Sequence, residues 1–230
     1  MPNLHYREEH IMRSIVNKYK ACFSNKNFII SVVIGVVFII GAYVLNYFTS
    51  TYADHVAGNQ VTDIILSNIP IVDLDYVFVY GPLVLWIFII LLTLTEPKRI
   101  PYVMKTVALF VIIRALFTTL THLGPYPYEI PASYASGWIR SLTFGSDMFF
   151  SGHTGLPFLM ALIYGELNKK YYYIFITASI FFGVVVLLGH YHYSIDVAAA
   201  FFITYTIYVI ATKWFKKDRE RFYTTEIDTV

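Results

Sequence analysis

Six apolar stretches alternate along the chain with short polar segments, at residues 28–48, 76–95, 102–123, 149–167, 171–188 and 195–215. A transmembrane helix needs about 20 mostly apolar residues, and each stretch is close to that length. The first is too long and too far from the N-terminus for a typical signal peptide, and no small-residue cleavage site follows it. Neither a repeat nor a low-complexity linker divides the chain. The pattern therefore predicts an all-α, polytopic membrane protein: a six-transmembrane-helix bundle over residues 28–215. Residues 1–27 form an N-terminal segment before it, and residues 216–230 a basic tail after it.

Composition agrees with this pattern. Hydrophobic residues make up 57% of the 230 and charged residues 14%, against about 25% charged in an ordinary soluble domain. The single cysteine, Cys22, cannot form an intramolecular disulfide, and a net charge of +2 is too small to suggest nucleic-acid binding. The placement of charge says more than its sum. Of the 17 basic residues, 15 fall before the first stretch, between the second and third or at the third's near edge (Lys105), between the fourth and fifth, or around the last stretch's end. Arg140 alone lies on the other side, and Arg114 lies within a stretch. The positive-inside rule then puts both termini in the cytoplasm. Before the first stretch, Ile11, Ile15, Tyr19 and Phe23 recur at helical spacing among basic residues. That reads either as an amphipathic helix on the lipid surface or as a partly ordered tail.

The ionisable residues that break the apolar pattern gather at one level, the non-cytoplasmic helix ends. His122 ends the third stretch, His153 begins the fourth, and His190 and His192 join the fifth to the sixth; Asp147, Glu129 and Asp196 share their level. Ionisable groups at membrane depth are expensive and usually functional. In "LGHYHYSIDVAAAFF" (188–202), His192 and Asp196 are four apart and share a helix face. A carboxylate there can take the proton on one imidazole nitrogen and leave the other as base or nucleophile. His153, in "FFSGHTGLPF" (149–158), is a second imidazole able to protonate a leaving oxygen. Gly152 admits close backbone approach to a ligand, and the amides beginning that helix favour an anion. Together these groups suit phosphoryl transfer through a phosphohistidine.

Other readings use the same residues. His153, His192 and Asp196 can be drawn as a two-His, one-carboxylate metal site, although the glycine and the helix start suit an anion better. Arg114 suits a phosphate or headgroup contact, or else a structural pairing. Tyr126, Tyr128, Trp138, Tyr191 and Tyr193 fit an interfacial aromatic belt, or contacts to a choline-like cation. A channel or transporter would spread polar or glycine-broken positions through several spans, whereas the first, second and fifth stretches are nearly pure apolar.

At these residues the sequence resembles the sphingomyelin synthase family, a branch of the type 2 phosphatidic acid phosphatase superfamily. The family's third motif, Cys-Gly-Asp followed by Ser-Gly-His-Thr, appears as "GSDMFFSGHT" (145–154), with Asp147, Ser151, Gly152, His153 and Thr154 matching. Gly145 and Ser146 stand where the family has Cys and Gly. The fourth motif, His-Tyr-x-x-Asp-Val, is intact as "HYSIDV" (192–197), and Arg114 with Thr118 approximates the Arg-x-x-x-Thr of the second. The resemblance spans roughly residues 100–210. It implies a six-helix enzyme with its site on the non-cytoplasmic face, His192 as nucleophile on phosphorus, Asp196 as its orienting carboxylate and His153 as acid-base partner. Asp147 would join that site, and no metal or other cofactor is implied. The general phosphatase signatures Lys-x6-Arg-Pro and Ser-Arg-x5-His are absent, which favours the synthase branch. The expected activity is transfer of a phosphorylated headgroup from a phospholipid to a lipid alcohol such as ceramide or diacylglycerol. A lipid phosphatase or phospholipase-C-like hydrolase is the alternative. The expected substrate-side residues are Asp147, Ser151, Gly152, Arg114 and Tyr193, and the partners are membrane lipids.

Overall fold

The computed structural model describes residues 4–126 and 149–224, and every regular element among them is helical. Eight α-helices follow one another: α1 (Leu4–Phe23), α2 (Lys26–Val56), α3 (Asp75–Leu94), α4 (Ile100–Leu120), α5 (Gly152–Gly165), α6 (Lys169–Leu188), α7 (Ser194–Trp214) and α8 (Lys216–Tyr223). Local chemistry starts several of them. Asn25 caps α2 by accepting the amides of Asn27 and Phe28, and Asn168 caps α6 by accepting that of Lys170; each side chain replaces an intrahelical acceptor the first turn lacks. Pro101 opens α4, where a missing N–H costs nothing.

Among the described residues five helices, α2, α3, α4 (with the 3-10 turn before it), α6 and α7, are long and apolar enough to cross a membrane. The fourth predicted stretch differs. In place of 19 residues, the helix α5 runs 14, from Gly152 to Gly165, or about 21 Å against a hydrocarbon thickness of about 30 Å. It is shielded by protein instead of lipid: Leu159, Met160, Ala161, Ile163 and Tyr164 are fully buried. A helix enclosed in this way is released from matching the bilayer, because backbone beyond its ends is satisfied by neighbouring protein.

α4 and α5 form the centre. α2 lies along α4, while α6 and α7 flank α5, and α3 touches α6 and α4 only lightly. The α2 face toward α4 is small, with Ser31, Gly35 and Ala42 buried, and a Cβ at Gly35 would sit 3.3 Å from that of Met104. Without a hydrophobic drive inside a bilayer, close backbone approach over small residues supplies the packing. A Cβ at Gly81 on α3 would likewise strike the Phe182 ring of α6 at 2.6 Å.

The two ends of the bundle differ. At one, α1 is an ordered helix docked by Lys18 on Glu96 and by the Tyr19 hydroxyl donating to the Leu94 carbonyl. α8 folds back beside it: Asp218 accepts from Lys105 at 2.7 Å and from Ser31 at 2.6 Å, and Phe222 is buried. Residues expected to form a basic tail are thus tied into the bundle as far as Thr224, whose carbonyl accepts from Lys98. At the opposite end, Gly58 N–H donates to the His122 carbonyl and Ser194 N–H to Asp63, closing the turns around the starts of α5 and α7.

Candidate active site

Two helix starts meet at this second end. The start of α7 places its third residue, Asp196, so that Oδ2 accepts the Tyr193 amide at 3.0 Å and faces His192 Nδ1 at 3.3 Å. One carboxylate oxygen therefore both caps the helix and orients the imidazole, an acid being favoured at that end by the helix dipole as well. With Nδ1–H donating to the carboxylate, Nε2 is the nitrogen left to react. Asp196 is fully buried and His192 nearly so, and Asp196 Oδ1 has no hydrogen-bond partner among the described residues. At the start of α5, Ser151 Oγ accepts the Thr154 amide at 3.4 Å, while the Ser151 N–H donates to the Asp196 carbonyl at 3.1 Å. The two motifs are pinned together through the backbone.

The His153 and His192 rings lie 6.4 Å apart between centroids. His153 Nε2 donates to the Phe78 carbonyl at 3.2 Å, and its ring stacks on the Phe78 ring at 4.2 Å and 19°. The Phe78 ring in turn lies 4.1 Å from that of Tyr191, whose hydroxyl donates to buried Asp75. Arg114 reaches in from α4, with Nε donating to the Phe150 carbonyl at 3.2 Å. Its side chain lies over Gly152, where an added Cβ would meet Nε at 3.5 Å. Arg114, Gly152, His153 and His192 all line one cavity of about 690 Å³.

Not every expected residue comes to this cavity. Tyr193 is buried with its hydroxyl donating to the Gly124 carbonyl and accepting the Val61 amide, among Leu66 and Tyr126; it is absent from the cavity wall. His122 pairs with Tyr52 at 3.4 Å, and His190 is buried edge-on to Tyr126. Asp147 and Glu129, with Tyr128 and Trp138, lie outside the described residues. Among the described residues no three His, Cys, Asp or Glu side chains cluster with metal-ligand geometry, and in the two-His, one-carboxylate drawing the Asp196 oxygen is already shared between His192 and a backbone amide.

Two residues beside the histidines are not among the expected site members, Asp75 and Phe78; with Tyr191, expected as a belt residue or a cation contact, they back the His153 ring. The available signal was Asp75, a carboxylate at the lip of an apolar stretch. Asp63 was also missed. Its Oδ1 accepts the amides of Ile65 and Leu66, and Oδ2 accepts that of Ser194 at 2.7 Å. Burial alone would raise its pKa, but these hydrogen bonds outweigh it and hold the carboxyl below its usual range.

Residues 145–213 match the family model for the PAP2 superfamily C-terminal domain. That match supports the type 2 phosphatidic acid phosphatase superfamily, and it covers both helix starts that build the site. It does not reach the sphingomyelin synthase branch, nor helices α1 to α4. Such a match fits a membrane-embedded enzyme of the phosphatase type that processes lipid substrates by hydrolysis or phosphotransfer. Comparison with curated proteins and with solved structures finds no match.

Proposed function

We propose that this protein is a lipid headgroup phosphotransferase that works through a phosphohistidine on His192. His192 Nε2 attacks the donor phosphorus, and the bond from phosphorus to the donor's lipid oxygen breaks. His153, doubly protonated, keeps one N–H on the Phe78 carbonyl and gives the other proton to that oxygen. A lipid hydroxyl then attacks phosphorus, the phosphorus–nitrogen bond breaks, and His153 takes back the hydroxyl proton. Asp196 holds the imidazole tautomer and stabilises the charge that develops on it. Arg114 provides a cation that stays charged when desolvated and whose fork matches phosphate oxygens.

The observation that carries this reading is the buried His192–Asp196 pair at the wall of a cavity that His153 and Arg114 share. The clustering of Lys18, Lys98, Arg99 and α8 at the far end supports cytoplasmic termini and a site facing the other side. Trapping tests the reading: headgroup-phosphate-labelled phospholipid should leave label on the peptide containing His192. Label that persists on the chain in His192→Ala would end it. The PAP2 match favours a second reading, hydrolysis, in which water replaces the lipid hydroxyl and the same covalent step precedes it.

A further inference from the structure

The cavity extends well past the histidines. Along α4 its wall runs from Arg114 to Ile100, which is about 21 Å of helix. One end is cationic and imidazole-bearing. Beyond it the wall is mainly hydrocarbon and aromatic, including Leu83, Trp86, Val107 and Phe110, with Thr93, Leu94 and Ile100 at the far end. The cavity lies between α2, which packs along α4, and α3, which touches α4 and α6 only lightly. Tyr43 on α2 and Ile90 and Leu94 on α3 line it and are also exposed, at 42%, 49% and 43%. It is therefore open sideways, at the level where hydrocarbon would surround the bundle.

We propose that one acyl chain of the substrate lipid is housed in this cavity, between α2 and α3, and that Thr93, Leu94 and Ile100 gauge its length. The inference rests on the proposed reading of the histidine site as one for a phospholipid. A single leaflet is about 15 Å of hydrocarbon, so a chain of ordinary length fits within the 21 Å wall. Moving a chain from bilayer to apolar cavity exchanges one hydrocarbon environment for another, and the hydrophobic effect contributes little to the choice. Discrimination comes from fit. A chain too long for the floor must bend against Leu94 and Ile100, and overfilling a packed site is costly. A chain too short forfeits contacts and leaves a void.

Wall substitutions on α3 test this, because that helix borders the cavity without forming the bundle's centre. Ile90 is twelve residues from Phe78, about 18 Å down, and Leu83 is five residues away, about 7.5 Å down. Purified protein in the His192→Ala background, which needs no turnover, is offered equal short-chain and long-chain phospholipid, and the retained lipid is identified by native mass spectrometry. Ile90→Trp should shift retention at least about tenfold toward the short chain, Leu83→Trp should weaken both, and Leu94→Ala should move the preference toward longer chains. Unchanged preference in Ile90→Trp and Leu94→Ala overturns the inference, because the chain then lies in the bilayer. If Ile90→Trp does not fold, Leu94→Ala decides alone. Active-site failure reads differently: an otherwise wild-type chain that neither accepts label from phospholipid nor transfers headgroup refutes the phosphotransferase reading, whatever the chain preference.

Discussion

Asp196 carries two hydrogen-bond partners on one oxygen, so a neutral replacement gives a clean prediction. In Asp196→Asn an amide oxygen at that position still accepts the Tyr193 amide and the Nδ1–H of His192, but it no longer offers a negative charge to the imidazolium that the proposed attack would create. Activity should fall by about 10²- to 10⁴-fold, while stability changes by no more than about 1 kcal/mol; kcat and thermal unfolding measured side by side check both. This pair was legible in the sequence, because four-residue spacing fixes a shared helix face. Tyr193 was not, because the carbonyl that holds its hydroxyl, Gly124, is remote in sequence and no local pattern announces it. Two further residues set an acid limit on stability. Asp63 is depressed below its usual range, so its contribution is complete above about pH 3.9 and is lost as pH falls through the folded value. Burial also lowers the pKa of His190. Its contribution is complete above about pH 6.5 and is lost as pH falls toward the folded value. Thermal stability should fall in both windows, and Asp63→Asn should flatten the lower one while deepening the upper, because the Asp63 charge partly offsets the effect of burial on His190.

The end of α6 shows how an element serves the site from outside it. His190 N–H donates to the Leu187 carbonyl and Tyr191 N–H to that of Val186, the paired bonds of a Schellman ending. The left-handed residue is His190, at φ 56°, although the glycine beside it is the type that usually takes this position. Gly189 is needed for another reason: a Cβ there would sit 2.0 Å from the Tyr191 ring. Gly189→Ala should therefore displace Tyr191, loosen the Phe78 and His153 stack and lower kcat several-fold, with Tyr191→Phe, which keeps the ring, affected less. Five long helices were readable from apolar length alone, since that length is set by the bilayer. The short α5 was not, because its apolar residues face protein, and hydropathy cannot tell a protein neighbour from a lipid one.

At the scale of the whole molecule, the two ends divide the work. The basic end is fastened by buried Lys105, Asp218 and Ser31, which tie α8 to α4 and α2. Removing one member leaves an uncompensated buried charge, so Asp218→Ala should cost about 3–5 kcal/mol, and a fall in the urea midpoint at unchanged slope would show it. The other end holds the proposed site, and the cavity runs from it along the bundle. The central claim, that a headgroup passes through His192 to a lipid alcohol, is tested most directly in vesicles containing the purified protein. A labelled phospholipid donor is supplied with ceramide or diacylglycerol present or absent, and products are read by mass spectrometry beside His192→Ala. A new phospholipid that requires the acceptor and disappears in the variant is expected. Release of phosphorylated headgroup or inorganic phosphate regardless of acceptor, or undiminished turnover in His192→Ala, would contradict it.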